Sequence, residues 1–278
     1  MTETRILQRV LEKTIQKSGA QVGLAAQRIA TGEEILIEPD ASFHPASTMK
    51  ICVMMEVFRQ ARRAVFSLNE PLLIKNEFAS IVDGSPYSLS MEDDSEQDLY
   101  ARLGQRLPIR DLVKRMITVS SNLATNLLIE RVSAEKTMEF MRELGAEGVI
   151  VRRGVEDGKA YHLGLNNTAT ARGLMQLLVS LAKNTVVSPE DSEAMIEIML
   201  QQKFSEMIPA GLPTGVRVAH KTGWNNDLYH DAGIVYPPGT GPFVLVILTR
   251  GIGNDEQAHA LIASLAKSIY DEWAKHSP

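Results

Sequence analysis

Apolar residues at Ile6, Leu7, Val10, Leu11 and Ile15 open the chain at three- and four-residue spacing, the period of an amphipathic helix. The pattern then changes. QVGLAAQRI and EEILIE flank the turn residues ATG and predict a hairpin. Near the far end GVRVAHKTG, LYHDAGIVYP and PFVLVILTR are strand-like, WNND and PPGTG separate them, and residues 255 to 275 return to helical spacing. The middle is mostly helical: ICVMMEVFRQARR, PIRDLVKRMITV, LATNLLIERV, AEKTMEFMREL, TARGLMQLLVSLAKN and PEDSEAMIEIMLQQ all repeat apolar residues at three or four.

Strand signals at both ends and helices between them predict an α/β (α+β) fold. It consists of an antiparallel five-stranded sheet formed by both chain ends and flanked by helices, plus an all-helical lobe. The expected division is a sheet lobe of residues 1–60 and 212–278 and a helical lobe of 61–211, with the active site in the cleft between them, where ligands commonly bind. No internal repeat is visible. The acidic stretch MEDDSEQD at 91–98 reads as a solvated loop, with Gly84 and Pro86 supporting loop structure nearby.

Composition narrows the function classes. The 278 residues, 44 % hydrophobic and 23 % charged, suit a globular enzyme. A net charge of -5 argues against nucleic acid or an anionic membrane as partner, and a monomer is expected. Cys52 is the one cysteine; inside ICVMM it reads as a small core residue. The start lacks the apolar segment of a secretory signal, so the chain as written is expected in the cytoplasm; a removed leader would make it periplasmic or secreted. No run is apolar enough to span a bilayer. The six histidines, at 44, 162, 220, 230, 259 and 276, lack metal-ligand spacing, so neither metal nor cofactor is expected. Glu56 reads as a helix-surface residue.

Three short motifs carry candidate chemistry. Ser47-Thr48-Met49-Lys50 follows Pro45 and precedes a helical run, which would put Ser47 at a helix N-terminus and Lys50 one turn on, on the same face. A lysine made neutral by burial can take the proton of an attacking serine. The spacing alone is weak, because Ser133, Ser180 and Ser264 also have a lysine three residues on. Ser120-Ser121-Asn122 interrupts two apolar helical runs and marks a break that can point polar groups into a cleft; it also fits a plain helix cap, and Ser67 and Asn69 repeat the pattern. Lys221-Thr222-Gly223 ends a strand-like segment before a turn and occurs once. There a charge, a hydroxyl and a closely approachable backbone suit a carboxylate, although an exposed hairpin end has the same composition.

Taken in order, Ser47-x-x-Lys50, Ser120-x-Asn122 and Lys221-Thr222-Gly223 resemble the three signature motifs of penicillin-binding proteins and class A β-lactamases. RMITVSSNLATNLLIE, IPAGLPTGVRVAHKTG and HDAGIVYP look like segments of the same serine hydrolases, so the resemblance covers nearly the whole chain. It implies a β-lactamase/transpeptidase-like fold and a small-molecule substrate with a carboxylate, β-lactam or peptide-like. It also implies site roles: Ser47 as acylated nucleophile, Lys50 as its base, Ser120 as relay to the leaving nitrogen, and Lys221 lowering its neighbours' proton affinity. Asn122 would hold the substrate amide, Thr222 its carboxylate, Gly223 would allow close approach, and the backbone amides of Ser47 and Trp224 would form the oxyanion hole. The Trp224 ring is expected to pack at the cleft mouth, and His220 to point away from the face served by Lys221.

The sequence also departs from that family. The deacylating glutamate pattern Glu-x-x-Leu-Asn is missing from VRRGVEDGKAYHLGLNN; Val155 falls where the glutamate belongs, and Glu156 and Asp157 follow it. Either could be a shifted base, or GVEDGK could be a solvated turn. Ser121 stands where an aspartate is usual, a change expected to affect loop bracing more than chemistry. Three activities remain open: β-lactam hydrolysis; an esterase, peptidase or amidase, including a glutaminase-like one; or a penicillin-binding sensor acylated without efficient turnover.

Overall fold

The computed structural model describes residues 3–275. Helices α1 (Glu3–Ser18) and α9 (Asp255–Trp273) come from the two chain ends. Between them lie α2 (Lys50–Arg62), α3 (Ile109–Thr118), α4 (Asn122–Val132), α5 (Ala134–Glu143), α6 (Gly158–His162), α7 (Ala171–Ala182) and α8 (Pro189–Met199). The strands are β1 (Gln21–Arg28), β2 (Glu34–Ile37), β3 (Pro71–Leu73), β4 (Phe78–Ala79), β5 (Pro86–Tyr87), β6 (Arg106–Pro108), β7 (Arg217–Asn225), β8 (Leu228–Tyr236) and β9 (Phe243–Arg250).

The main sheet is antiparallel and five-stranded, in the order β2-β1-β9-β8-β7. Both chain ends build it, because the N-terminal strand β1 pairs along its length with the C-terminal strand β9, Gln21 opposite Arg250 through Arg28 opposite Phe243. The two-stranded pairs β3-β6 and β4-β5 are additions that the sequence pattern does not reveal, since segments of two or three residues show no period.

Side-chain alternation sorts the sheet residues into two cores. Val22, Leu24, Ala26, Leu245 and Ile247 face α1 and α9. Ala25, Ala219, Ala232, Ile234, Val244 and Val246 face the middle helices. A fully buried Leu or Ile contributes about 1.5–3 kcal/mol, so both layers hold the sheet firmly. Helix α2 packs against α3, α4 and α5 and is buried at every position from Lys50 to Gln60. It is a central helix, and its charged residues are therefore enclosed. Glu56, expected at the surface, is fully buried and paired with Arg59, which also bonds Glu143; Gln60 donates to Glu56 as well. Cys52 is buried in the same helix, where burial pushes its thiol up to about 12 and keeps it unreactive. Among the described residues no helix is long and apolar enough to cross a membrane.

Candidate active site

Ser47 lies in a 3-10 turn, Ala46–Met49, that feeds directly into α2, rather than in the α-helix itself. The amide of Lys50 bonds the carbonyls of Ser47 and Thr48, which sets the lysine one turn beyond the serine. The turn is secured from several sides. Thr48 donates both its amide and its hydroxyl to the carbonyl of Pro45, at 3.0 and 2.6 Å. The amide of Ala46, a residue in the left-handed region at φ 46°, donates to Nδ1 of His44 at 3.1 Å. His230 on β8 receives the Thr249 amide on Nδ1, so its proton is on Nε2 and goes to the carbonyl of His44 at 2.9 Å. Burial pulls His230 down to about 4 and keeps it neutral.

Burial separates Lys50 from the other lysines at the same spacing. Lys136, Lys183 and Lys267 are exposed, and Ser133 caps α5, whereas Lys50 is 0 % exposed. Its Nζ donates to the Ser120 carbonyl at 2.6 Å, Asn122 Oδ1 at 2.8 Å and Ser120 Oγ at 3.3 Å. Ser120 and Asn122 stand at the break between α3 and α4. Ser120 takes φ 59°, and Ser121 caps α4 by accepting from the Ala124 amide. The left-handed residue turns the chain so that both the carbonyl and the hydroxyl of Ser120 face Lys50.

Lys221 enters from β7, also 0 % exposed, and donates to Ser120 Oγ at 3.0 Å and to the Thr222 carbonyl at 2.8 Å. β7 is an edge strand, so alternate backbone groups on its outer side are unpaired. Gly223 lies against the Ser47 turn: a Cβ there would sit 3.1 Å from the Ser47 nitrogen and 3.1 Å from the Pro45 carbonyl. Thr222 is in register with Asp231, which places its side chain on the sheet face opposite Lys221, and its carbonyl is the atom that engages the lysine. His220 shares that opposite face, where its Nδ1 meets Asp231 Oδ1 at 2.9 Å, as alternation requires. Trp224 is 63 % exposed, and its side chain hydrogen-bonds that of Tyr229, its register partner on β8.

Glu156 and Asp157 part company. Asp157 is buried as the cap of α6, accepting from the Ala160 and Ile81 amides and the Ser80 hydroxyl. GVEDGK is therefore solvated only in part: Glu156, Gly158 and Lys159 are exposed, while Asp157 is enclosed. Glu156, left-handed at φ 61°, turns the other way: Oε1 accepts from Asn122 Nδ2 at 2.8 Å and Oε2 from the Ser90 amide at 3.3 Å. Val155 is held by its backbone, its amide on Asn126 Oδ1 at 2.7 Å and its carbonyl on Asn126 Nδ2 at 3.0 Å. A carboxylate reaches the site from the residue after the one where the family pattern would put it.

The acidic stretch is not solvated throughout either. Asp94 is 4 % exposed and accepts from the backbone amides of Asn122 and Leu123. Asp94, Asn126, His44 and His230 were not singled out in the sequence as site residues. No spacing rule ties them to Ser47, and the only signal is a polar residue lying beside an apolar run.

The electrostatics follow from this enclosure. Burial pulls Lys50 from 10.5 down to about 7, against the pull of Asp94 and Glu156, which favour its charge. Lys221 is held well below its ordinary range by burial and then by the positive charge of Lys50. Burial raises Glu156 above the usual carboxylate range, opposed by the Ser90 amide and Asn122. Such an arrangement can pass protons between a serine hydroxyl, two lysines and a carboxylate at neutral pH. Among the described residues no cluster of three His, Cys, Asp or Glu side chains is arranged to hold a metal ion.

Comparison with known proteins agrees with the geometry. The sequence is 26 % identical over 262 residues to a β-lactamase of Bacillus amyloliquefaciens, covering 92 % of this chain and 81 % of that one. It is 25 % identical over 257 residues to a β-lactamase of Streptomyces albus G, covering 91 % and 80 %. Among solved structures, that of PBP-A superposes with a TM-score of 0.83 at 24 % identity, over 98 % of this chain and 97 % of that one, a likeness of fold. The sequence model of the β-lactamase enzyme family matches residues 5–273, and with that match the chain belongs to the β-lactamase enzyme family.

Proposed function

We propose that the protein opens a β-lactam amide through an acyl-enzyme on Ser47 and then hydrolyses that ester. The observation that carries this reading is the continuous polar chain Lys221–Ser120–Lys50–Asn122–Glu156, every link a hydrogen bond of 3.3 Å or less, beside the turn that bears Ser47. In the first step Ser47 Oγ attacks the carbonyl carbon and gives its proton to neutral Lys50. Collapse breaks the C–N bond, and the proton passes through Ser120 to the leaving nitrogen. In the second step water attacks the acyl ester and Glu156 takes its proton; the bond to Ser47 then breaks and that same proton passes from Glu156 to Ser47 Oγ, leaving Glu156 ionised and Lys50 neutral as at the start.

Positioning is shared by the remaining residues. The amides of Ser47 and Trp224 stabilise the oxyanion, and Gly223 lets the carbonyl approach. Lys221, held by the Thr222 carbonyl, attracts the substrate carboxylate, and Asn122 its amide; the Thr222 side chain, expected at that carboxylate, lies on the other face of the sheet. The sheet lobe (1–60 and 212–278) and the helical lobe (61–211) would hold the substrate between them, the first supplying Lys221 and the second Ser120 and Asn122.

Intact-protein mass spectrometry after mixing with benzylpenicillin tests the reading. The expected result is a transient adduct of one benzylpenicillin, mapped to Ser47 and absent in Ser47→Ala, with nitrocefin turned over in the steady state. An adduct that persists, with a burst and no turnover, would make the protein a penicillin sensor. No adduct, together with turnover of simple esters or glutamine, would transfer the site to those substrates.

A further inference from the structure

The hinge between α3 and α4 carries Ser120 and Asn122, and an α-helix start leaves amides without partners. Ser121 satisfies only the Ala124 amide. The others are met from a remote segment. Both carboxylate oxygens of Asp94 lie 3.0 Å from the Asn122 amide, and Oδ2 is 2.9 Å from that of Leu123. The next residue, Ser95, donates its hydroxyl to the carbonyls of Val119 at 2.9 Å and Ser120 at 3.2 Å. The one after it, Glu96, forms an ion pair with Arg115 on α3, and the Arg115 carbonyl accepts the Ser121 amide. Three consecutive side chains thus grip the hinge on both sides of Ser120. That same Ser120 carbonyl is the 2.6 Å acceptor of Lys50. Asp94 is itself fixed, by the Tyr100 hydroxyl and the Glu96 amide.

We propose that residues 94–96 form a positioning strap for acyl transfer, in which Asp94 and Ser95 hold the left-handed Ser120 and the Asn122 side chain where Lys50 reaches both. The strap touches no substrate. It acts through the geometry of the hinge, and through the charge of Asp94 on Lys50, which otherwise faces Glu156 across Asn122 and Lys221 across Ser120. The charge favours the ammonium form, so removing it makes Lys50 lose its proton at lower pH. The inference rests on the reading of Ser47 as nucleophile for its kinetic arm alone.

The experiment compares the wild type with Asp94→Asn and Ser95→Ala in two ways. Carbon-13 NMR of protein labelled at the lysine ε-carbons follows the titration of Lys50 without any substrate, and rapid-quench mass spectrometry gives the rate of adduct formation with benzylpenicillin from pH 5 to 9. Asp94→Asn is expected to move the Lys50 midpoint and the acid limb of acylation together to lower pH. It should also slow the plateau by about tenfold or more, the scale of one lost charge-assisted hydrogen bond. Ser95→Ala, at an exposed position, is expected to slow acylation by about fivefold at unchanged melting temperature, and it decides alone if Asp94→Asn does not fold. Glu92→Gln, exposed in the same loop, should match the wild type. A helix cap with no further role would lower the melting temperature of Asp94→Asn and leave the Lys50 titration in place, which overturns the proposal, as does wild-type acylation by Ser95→Ala. Failure of the wild type to form any adduct would instead count against Ser47 as nucleophile, with the NMR titration still deciding on Asp94.

Discussion

Lys50 and Lys221 approach one oxygen, Ser120 Oγ, from 3.3 and 3.0 Å. Two ammonium groups buried this close repel each other with little water to screen them, so at neutral pH the pair resists holding both protons. Ser120, whose hydroxyl can donate or accept, is the natural carrier between them. A surface pair at the same spacing would gain or lose little; burial makes this one consequential.

The rate of acylation should therefore rise with pH through about 7. In the proposed mechanism neutral Lys50 is the base, and burial has brought it from 10.5 down to about 7. Below the midpoint the neutral fraction, and with it the rate, falls roughly tenfold per pH unit. Stopped-flow acylation by benzylpenicillin between pH 5 and 9 measures this, and a flat profile in that range would exclude Lys50 as the base. Lys50→Ala should remove most of the rate at every pH.

Gly223→Ala should damage catalysis more than folding. The added methyl meets the Ser47 nitrogen and the Pro45 carbonyl at 3.1 Å. Both are main-chain atoms that yield only if the 3-10 turn moves. Overpacking of this kind costs about 1–3 kcal/mol, which a protein of this size can survive. A misplacement of about 1 Å at a nucleophile costs on the order of a hundredfold in rate. A melting temperature lowered by a few degrees with acylation down at least tenfold is the expected pair of results; wild-type acylation would mean that the close approach is not needed.

The sheet was legible because its strands are long enough for alternation to show, and the helices because their apolar spacing survives over three turns. The site was only partly legible. Ser47-x-x-Lys50 shares its spacing with three serine–lysine pairs whose lysines are exposed, and what singles it out is the burial of α2 on all sides, hinted at by the unbroken run ICVMM. The same run should have marked Glu56 as enclosed. Asp94 was hidden for a different reason. Its partners are backbone amides of α4, and amides carry no sequence signature. The carboxylate of Glu156 depends on a left-handed backbone at a non-glycine residue, which no pattern predicts.

The support of the Ser47 turn by His230 should make the protein acid-sensitive. His230 is neutral in the fold, its ordinary value of 6.5 lowered by burial to about 4. A depressed value means that the unfolded chain binds the proton first, so the contribution is complete above pH 6.5 and is lost as pH falls through 4. The full loss amounts to about 3 kcal/mol. Urea unfolding at intervals from pH 7 to 4 should show this decline, and His230→Gln, which does not titrate, should flatten it. Equal slopes for the two proteins would mean that other groups cause the acid sensitivity.

The adjacent carboxylates Glu156 and Asp157 should give opposite phenotypes. Glu156 reaches Asn122 Nδ2 at 2.8 Å, and its carboxyl is raised above the usual carboxylate range, which makes it the stronger candidate for accepting a proton from water. Glu156→Gln keeps the shape and removes the base, so acylation should continue while deacylation slows by about 10²–10⁴-fold, and the Ser47 adduct should accumulate. Asp157 accepts from the Ala160 and Ile81 amides and the Ser80 hydroxyl, all structural partners. Asp157→Asn should therefore lower stability by about 1–2 kcal/mol and leave the adduct short-lived. Adduct lifetimes by intact-mass spectrometry and melting curves on the same samples separate the two. A long-lived adduct in Asp157→Asn beside a wild-type lifetime in Glu156→Gln would exchange their roles, and the left-handed turn at Glu156 would then serve only to close the loop onto the Ser90 amide.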